Sequence, residues 1–102
     1  MDLTITDNAA GLYKKEMNLT DGDALRLYVR VGGIGSGGFS AGITKELPEG
    51  TYMTKESGGI TFCISEDDEW YFDGMTIDFN QDLGEVQFTN PKIEDVTNPR
   101  GQ

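Results

Sequence analysis

The chain has no histidine, one cysteine (Cys63), three prolines and only 8 basic residues against 18 acidic ones. Each shortage excludes something. Without histidine, nucleophilic pairs of the Ser–His or Cys–His kind are unavailable, because the hydroxyl or thiol has no imidazole to take its proton. One cysteine cannot close an internal disulfide. The shortage of bases leaves a net charge of −10 and a pI near 4.1. Phosphate backbones and anionic lipid surfaces are repelled by such a charge, so neither nucleic acid nor a membrane is expected as a partner. No apolar run approaches the ~18 residues of a membrane-crossing helix. The start at Met1-Asp2 carries no apolar signal segment, and a cytoplasmic location is the expectation.

What is present fits one domain. A chain of 102 residues can bury roughly 60–68% of its unfolded surface and needs no covalent staple. Leu3-Thr4-Ile5-Thr6 alternates as a short strand, and Thr6 or Asp7 can cap a helix running to about Asn18. Ala9, Tyr13 and Met17, with Leu12 beside them, form that helix's apolar stripe. After the turn Thr20-Asp21-Gly22-Asp23, Leu25, Leu27, Val29 and Val31 face one way while Arg26, Tyr28 and Arg30 face the other. Further strands are expected from Phe39 to about Glu46, over Thr51 to Glu56, and over Ile60 to Ser65. In the last of these Ile60, Phe62 and Ile64 share a face, which puts Cys63 on the other with Thr61 and Ser65. Ser65 is placed to cap a helical turn over Glu66-Asp67-Asp68-Glu69-Trp70-Tyr71, whose acids suit the positive end of a helix and whose two aromatics can pack beneath it. Asp73-Gly74 breaks that turn. Met75, Ile77 and Phe79 form another strand face, Val86 and Phe88 one more, and Asn90-Pro91 stops the ladder by removing a donor. The fold class is therefore mainly β with one or two short helices. Residues 1–91 make the domain, and 92–102 a polar C-terminal tail.

The segment between the third and fourth of these units is compositionally unusual. Gly32-Gly33-Ile34-Gly35-Ser36-Gly37-Gly38-Phe39-Ser40-Ala41-Gly42 holds six glycines in eleven residues. Gly33 to Gly38 matches G-x-G-x-x-G formally, but that turn works only where a helix begins at the last glycine and aims its amides at a pyrophosphate. Phe39-Ser40-Ala41-Gly42-Ile43-Thr44 has glycine and β-branched residues in that place, so no dinucleotide is expected. The two remaining readings are a plain hairpin loop and a binding loop.

The Arg-x-x-Val-Arg-Val-Gly-Gly-like strand and loop, the block Phe72-Asp73-Gly74-Met75-Thr76-Ile77-Asp78-Phe79, and Phe88-Thr89-Asn90-Pro91 stand in an order that resembles the A-type iron–sulfur carriers, the HesB/IscA-like family. The resemblance runs from Leu3 to Pro91. It implies a twisted mixed-sheet sandwich or pseudobarrel with a helix packed on it. It also implies that the glycine-rich hairpin and the C-terminal tail come together, where the family's thiolates hold iron or an iron–sulfur cluster, often between subunits. Here Ile34 or Gly35 stands where the family cysteine is expected, and the tail from Lys92 to Gln102 holds neither cysteine nor histidine. Clusters are usually held by four thiolates, with histidine the main substitute, so no cofactor and no metal are expected. Two copies of Cys63 would still supply only two.

The expected function is thus that of an iron–sulfur biogenesis-type domain that has lost its cluster ligands, a non-enzymatic binding or accessory protein. Its binding residues would be Gly33, Ile34, Gly35, Ser36, Gly37, Gly38 and Phe39, engaging another protein through the loop face, with the chain a monomer or a homodimer. Phe39 has a second reading as the start of the next strand and part of the core. Two rival functions remain in view: weak metal binding through Cys63 or the carboxylates at 66–69, and a small enzyme using Asp or Glu as acid and base. Against the first, consecutive acids point in different directions and lack the spacing of a calcium loop. Arg26 and Arg30 are expected to pair with surplus acids.

Overall fold

The computed structural model describes residues 1–31 and 39–91. Within them the order is β1 (Thr4–Ile5), α1 (Asp7–Glu16), β2 (Ala24–Val31), β3 (Phe39–Thr44), β4 (Tyr52–Ser57), β5 (Ile60–Ser65), a 3-10 turn (Glu66–Asp68), α2 (Glu69–Phe72), β6 (Thr76–Asn80) and β7 (Glu85–Thr89). Two mixed sheets result, ordered β1-β6-β7 and β3-β2-β5-β4. The central pairs β1–β6 and β2–β5 are parallel, while hairpin neighbours are antiparallel. The mainly β architecture with two short helices agrees with the sequence reading.

Thr6 caps α1 by accepting the Ala9 amide on Oγ1 at 3.2 Å, and the same hydroxyl donates to Asp78 Oδ1 at 2.7 Å. One residue thus starts the helix and ties it to β6. The helix ends at Glu16, two residues short of the expected Asn18, because Asn18 turns left-handed at φ 55. Asparagine tolerates that conformation better than most residues, so it stops a helix much as glycine does. Ala9, Ala10 and Tyr13 then bury against both sheets, in one core with Leu3, Ile5, Leu25, Leu27, Ile60, Phe62, Ile64 and Ile77. Tyr13 meets Phe62 edge to face at 6.2 Å. Burial and a small cavity of about 30 Å³ beside Leu27, Ala41 and Phe88 surround Tyr13.

β4 and β5 join through Gly58-Gly59, with Ser57 opposite Ile60. Both glycines have positive φ, 58 and 85, the conformation a two-residue primed turn demands. A Cβ on Gly58 would lie 2.8 Å from the Cβ of Ala10, so this turn is also where the helix leans on the larger sheet. Ser57 Oγ adds a bond to the Ile5 carbonyl at 2.6 Å, which fastens one sheet to the other.

Candidate functional site

The alternation in β2 fixes which side chains share a face but not where the core ends. Leu25 and Leu27 are buried, Val29 is half-buried, and Val31 is 84% exposed although it lies on the same face. Val31 pairs with Phe39 at the mouth of the β2–β3 hairpin. Phe39 is half-buried and packs against the edge of the core, so it begins β3, and it also reaches Trp70 of α2 edge to face at 5.4 Å. Trp70 is 53% exposed. This corrects the expectation that both aromatics of the 66–71 segment pack inward: consecutive helical residues point about 100° apart, and Tyr71 takes the buried direction.

Gly33, Ile34, Gly35, Ser36, Gly37 and Gly38 lie outside the described residues, as does the tail from 92 to 102. Their two anchor points are described. Asn90, 6% exposed, donates through Nδ2 to the carbonyls of Tyr71 at 3.2 Å and Asp73 at 2.9 Å. A continuous series of contacts therefore runs from Phe39 through Trp70 and Tyr71 (rings 5.5 Å apart) to Asn90. The short helix α2 thus contacts both Phe39, the first described residue after the glycine segment, and Asn90, just before the tail. Sequence reasoning assigned Trp70 and Asn90 no part in this, because their partners are set by tertiary packing.

Cys63 is 2% exposed. It stands in β5 between Arg26 of β2 and Thr54 of β4, and burial pushes its thiol pKa up. A thiol held neutral inside a strand is a small packing group and a poor ligand or nucleophile. The 66–69 carboxylates split between a 3-10 turn and the first residue of α2, and Ser65 makes no side-chain bond to cap them. Among the described residues no three His, Cys, Asp or Glu side chains converge as a metal site would require.

Arg26 does find an acid, with Nη2 3.7 Å from Asp68 Oδ2 and the guanidinium over the Tyr28 ring at 5.6 Å. Arg30 lies instead along its stem beside Gly42, where a Cβ would meet the Tyr28 ring at 2.5 Å and Arg30 at 2.8 Å. Gly42 is thus the bare patch of sheet that both side chains cover. An open cleft of about 620 Å³ borders Arg26 between Glu46, Glu49 and Asp67.

Two mixed sheets share a core under α1, with Phe39 and Asn90 both seated on α2, a mainly β arrangement consistent with an iron–sulfur biogenesis-type scaffold. Residues 1–94 match the family model described as iron-sulphur cluster biosynthesis, and the chain belongs to that family. A protein of Bacillus subtilis named pyruvate dehydrogenase inhibitor is 40% identical over 92 residues, covering 86% of this chain and 97% of the relative. An iron-sulfur cluster insertion protein ErpA of Alkalilimnicola ehrlichii is 33% identical over 88 residues, covering 84% of this chain and 71% of that relative. An uncharacterized protein of Staphylococcus saprophyticus is 30% identical over 95 residues, covering 86% and 97%.

Proposed function

We propose that this chain is a non-enzymatic member of the iron–sulfur biosynthesis family that holds no cluster through thiolates and acts by docking on another protein, as an accessory or inhibitory subunit. The observation that carries this reading is Cys63. It is the only thiol the sequence has, no histidine can stand in for further thiolates, and it is buried in β5. A cluster needs several exposed, deprotonated thiolates with supporting hydrogen bonds. The relative named pyruvate dehydrogenase inhibitor, similar over almost its whole length, supports an inhibitory role, with a dehydrogenase of that kind as the target. We assign the docking face to the glycine-rich segment Gly33 to Gly38 together with Phe39, a half-buried aromatic at the start of β3.

Two experiments test this. Anaerobic incubation of the purified chain with iron and sulfide should leave it colourless, without the visible absorption of thiolate-bound clusters, and stable stoichiometric uptake would overturn the non-ligating reading. Adding the chain to purified pyruvate dehydrogenase complex should lower its activity in a saturable manner. Unchanged activity at a large excess, with no co-sedimentation, would remove the inhibitory role.

A further inference from the structure

Five large apolar side chains are exposed among the described residues: Val31, Leu47, Tyr52, Trp70 and Leu83. Val31 and Trp70 differ from the rest, because Phe39 joins them. It pairs with Val31 across the hairpin and meets the Trp70 ring edge to face. The result is a contiguous apolar strip at the hairpin mouth. Trp70 also follows an acidic run. Glu66 and Asp67 are exposed in the 3-10 turn that leads into α2, with Asp67 on the side of the Arg26 cleft. Glu69 adjoins Trp70, while Asp68 is turned toward Arg26.

We propose that this strip docks a cationic protein segment, one that seats an apolar side chain against Val31 and Phe39 and sets Lys or Arg beside Glu66 and Asp67 and over the face of Trp70. The proposal rests on the docking reading above and names its partner's chemistry. Charge selects the occupant. A second copy of this chain brings another −10, and nucleic acid or an anionic lipid surface is repelled by the same carboxylates. An exposed tryptophan preceded in the chain by four acids, on a protein of net charge −10, favours a cation through its ring as well as through Coulomb attraction. Tryptophan is also the residue type most often dominant at such contacts.

Trp70 is the single tryptophan, so its fluorescence reports the site directly. The probe is a fluorophore-labelled amphipathic helical peptide of Leu, Lys and Arg, titrated with the full chain. Binding should shift and change the intensity of Trp70 emission, and should weaken as salt rises. Trp70→Ala, used at a temperature where its circular dichroism matches that of the unaltered chain, should lower affinity about tenfold, the loss of roughly 1.4 kcal/mol. Glu66→Gln with Asp67→Asn should weaken binding more than the charge-matched pair Asp82→Asn with Glu85→Gln, two exposed acids at the β6–β7 turn and the start of β7. Absence of binding, binding that leaves Trp70 emission unchanged, or equal losses from the two pairs would each overturn the proposal. The two readings separate in one assay. If Trp70→Ala inhibits the dehydrogenase complex as well as the unaltered chain does, this surface falls and the inhibitory role stands. If the peptide binds through Trp70 and the complex is unaffected, the inhibitory role falls and the surface stands.

Discussion

Phe39 and Trp70 meet with ring centroids 5.4 Å apart and planes at 81°, a contact across 31 residues that fixes the mouth of the glycine hairpin to α2. The geometry sets the positive edge of one ring against the negative face of the other. A double-mutant cycle of Phe39→Ala and Trp70→Ala, read by urea unfolding, should give a coupling of about 0.5–1.5 kcal/mol. Phe39→Ala alone should cost about 2 kcal/mol, since the side chain is only half-buried. A coupling of zero would mean that the two rings do not hold each other in solution.

Asn90 donates to two carbonyls at the end of α2. Asn90→Ala should cost about 2 kcal/mol by removing both bonds from a buried site. Asn90→Asp should be worse near neutral pH, where a carboxylate would face two carbonyl oxygens. Its pKa would be raised in the folded state, so the ionic part of the damage should shrink as pH falls through that raised value and be gone below about pH 4, the ordinary aspartate range. Urea midpoints at the two pH values, for the unaltered chain and both variants, measure this. Equal losses for Asn90→Asp at both would discount the latch.

Much of the fold is legible without coordinates. Alternation at Leu25, Leu27 and Val29 and at Ile60, Phe62 and Ile64 gives β2 and β5 their inner faces, and Thr6 announces α1. Gly58-Gly59 between two strand-like runs is itself a hairpin signal. What does not show is long-range. The parallel pairing of Leu25 with Phe62 has no local cause, and period two cannot say that Val31 lies beyond the edge of the core. Asn90-Pro91 reads as the end of a strand, and only the position of Tyr71, 19 residues earlier in the chain, makes its amide a latch. The lack of histidine and of all but one cysteine is visible in the sequence, while the contact of Phe39 with an outward-turned Trp70 depends on tertiary packing.

Gly58 combines a positive φ with a tight approach to Ala10. Alanine there would carry a left-handed strain of about 1–2 kcal/mol, and its methyl would press on the helix as well. Gly58→Ala should therefore destabilise by about 2 kcal/mol or more, whereas Gly50→Ala, which has a positive φ but open space around it, should lose only the backbone part. Chemical denaturation of the two variants separates strain from crowding, and equal losses would show that the contact with Ala10 costs nothing.

Cys63 should be inert while the protein is folded. Its burial raises the thiol pKa and denies a reagent access, so labelling can proceed only as fast as β5 opens. A chromogenic disulfide reagent should react slowly at pH 8 and at once in denaturant. Rapid labelling of the native chain would place the thiol on the surface and revive it as a metal ligand.

Tyr13 supplies the alkaline limit of the fold. Burial pushes its phenol from 10.0 to about 12, so the unfolded chain releases that proton first. The sign follows from linkage: a group whose pKa is raised by folding contributes stability that is intact below its unfolded value and is lost as pH climbs through the folded one. Stability should therefore fall between about pH 10 and 12. Cys63, raised in the same direction, adds a loss beginning near pH 9, its ordinary value. Tyr13→Phe keeps the ring against Phe62 and has no proton to lose. Its urea midpoint should decline less than that of the unaltered chain across the upper window, and the difference should vanish at pH 7. Parallel declines in the two proteins would show that the Tyr13 hydroxyl is solvated in the folded state and that α1 is seated more loosely on β5 than its edge-to-face contact implies.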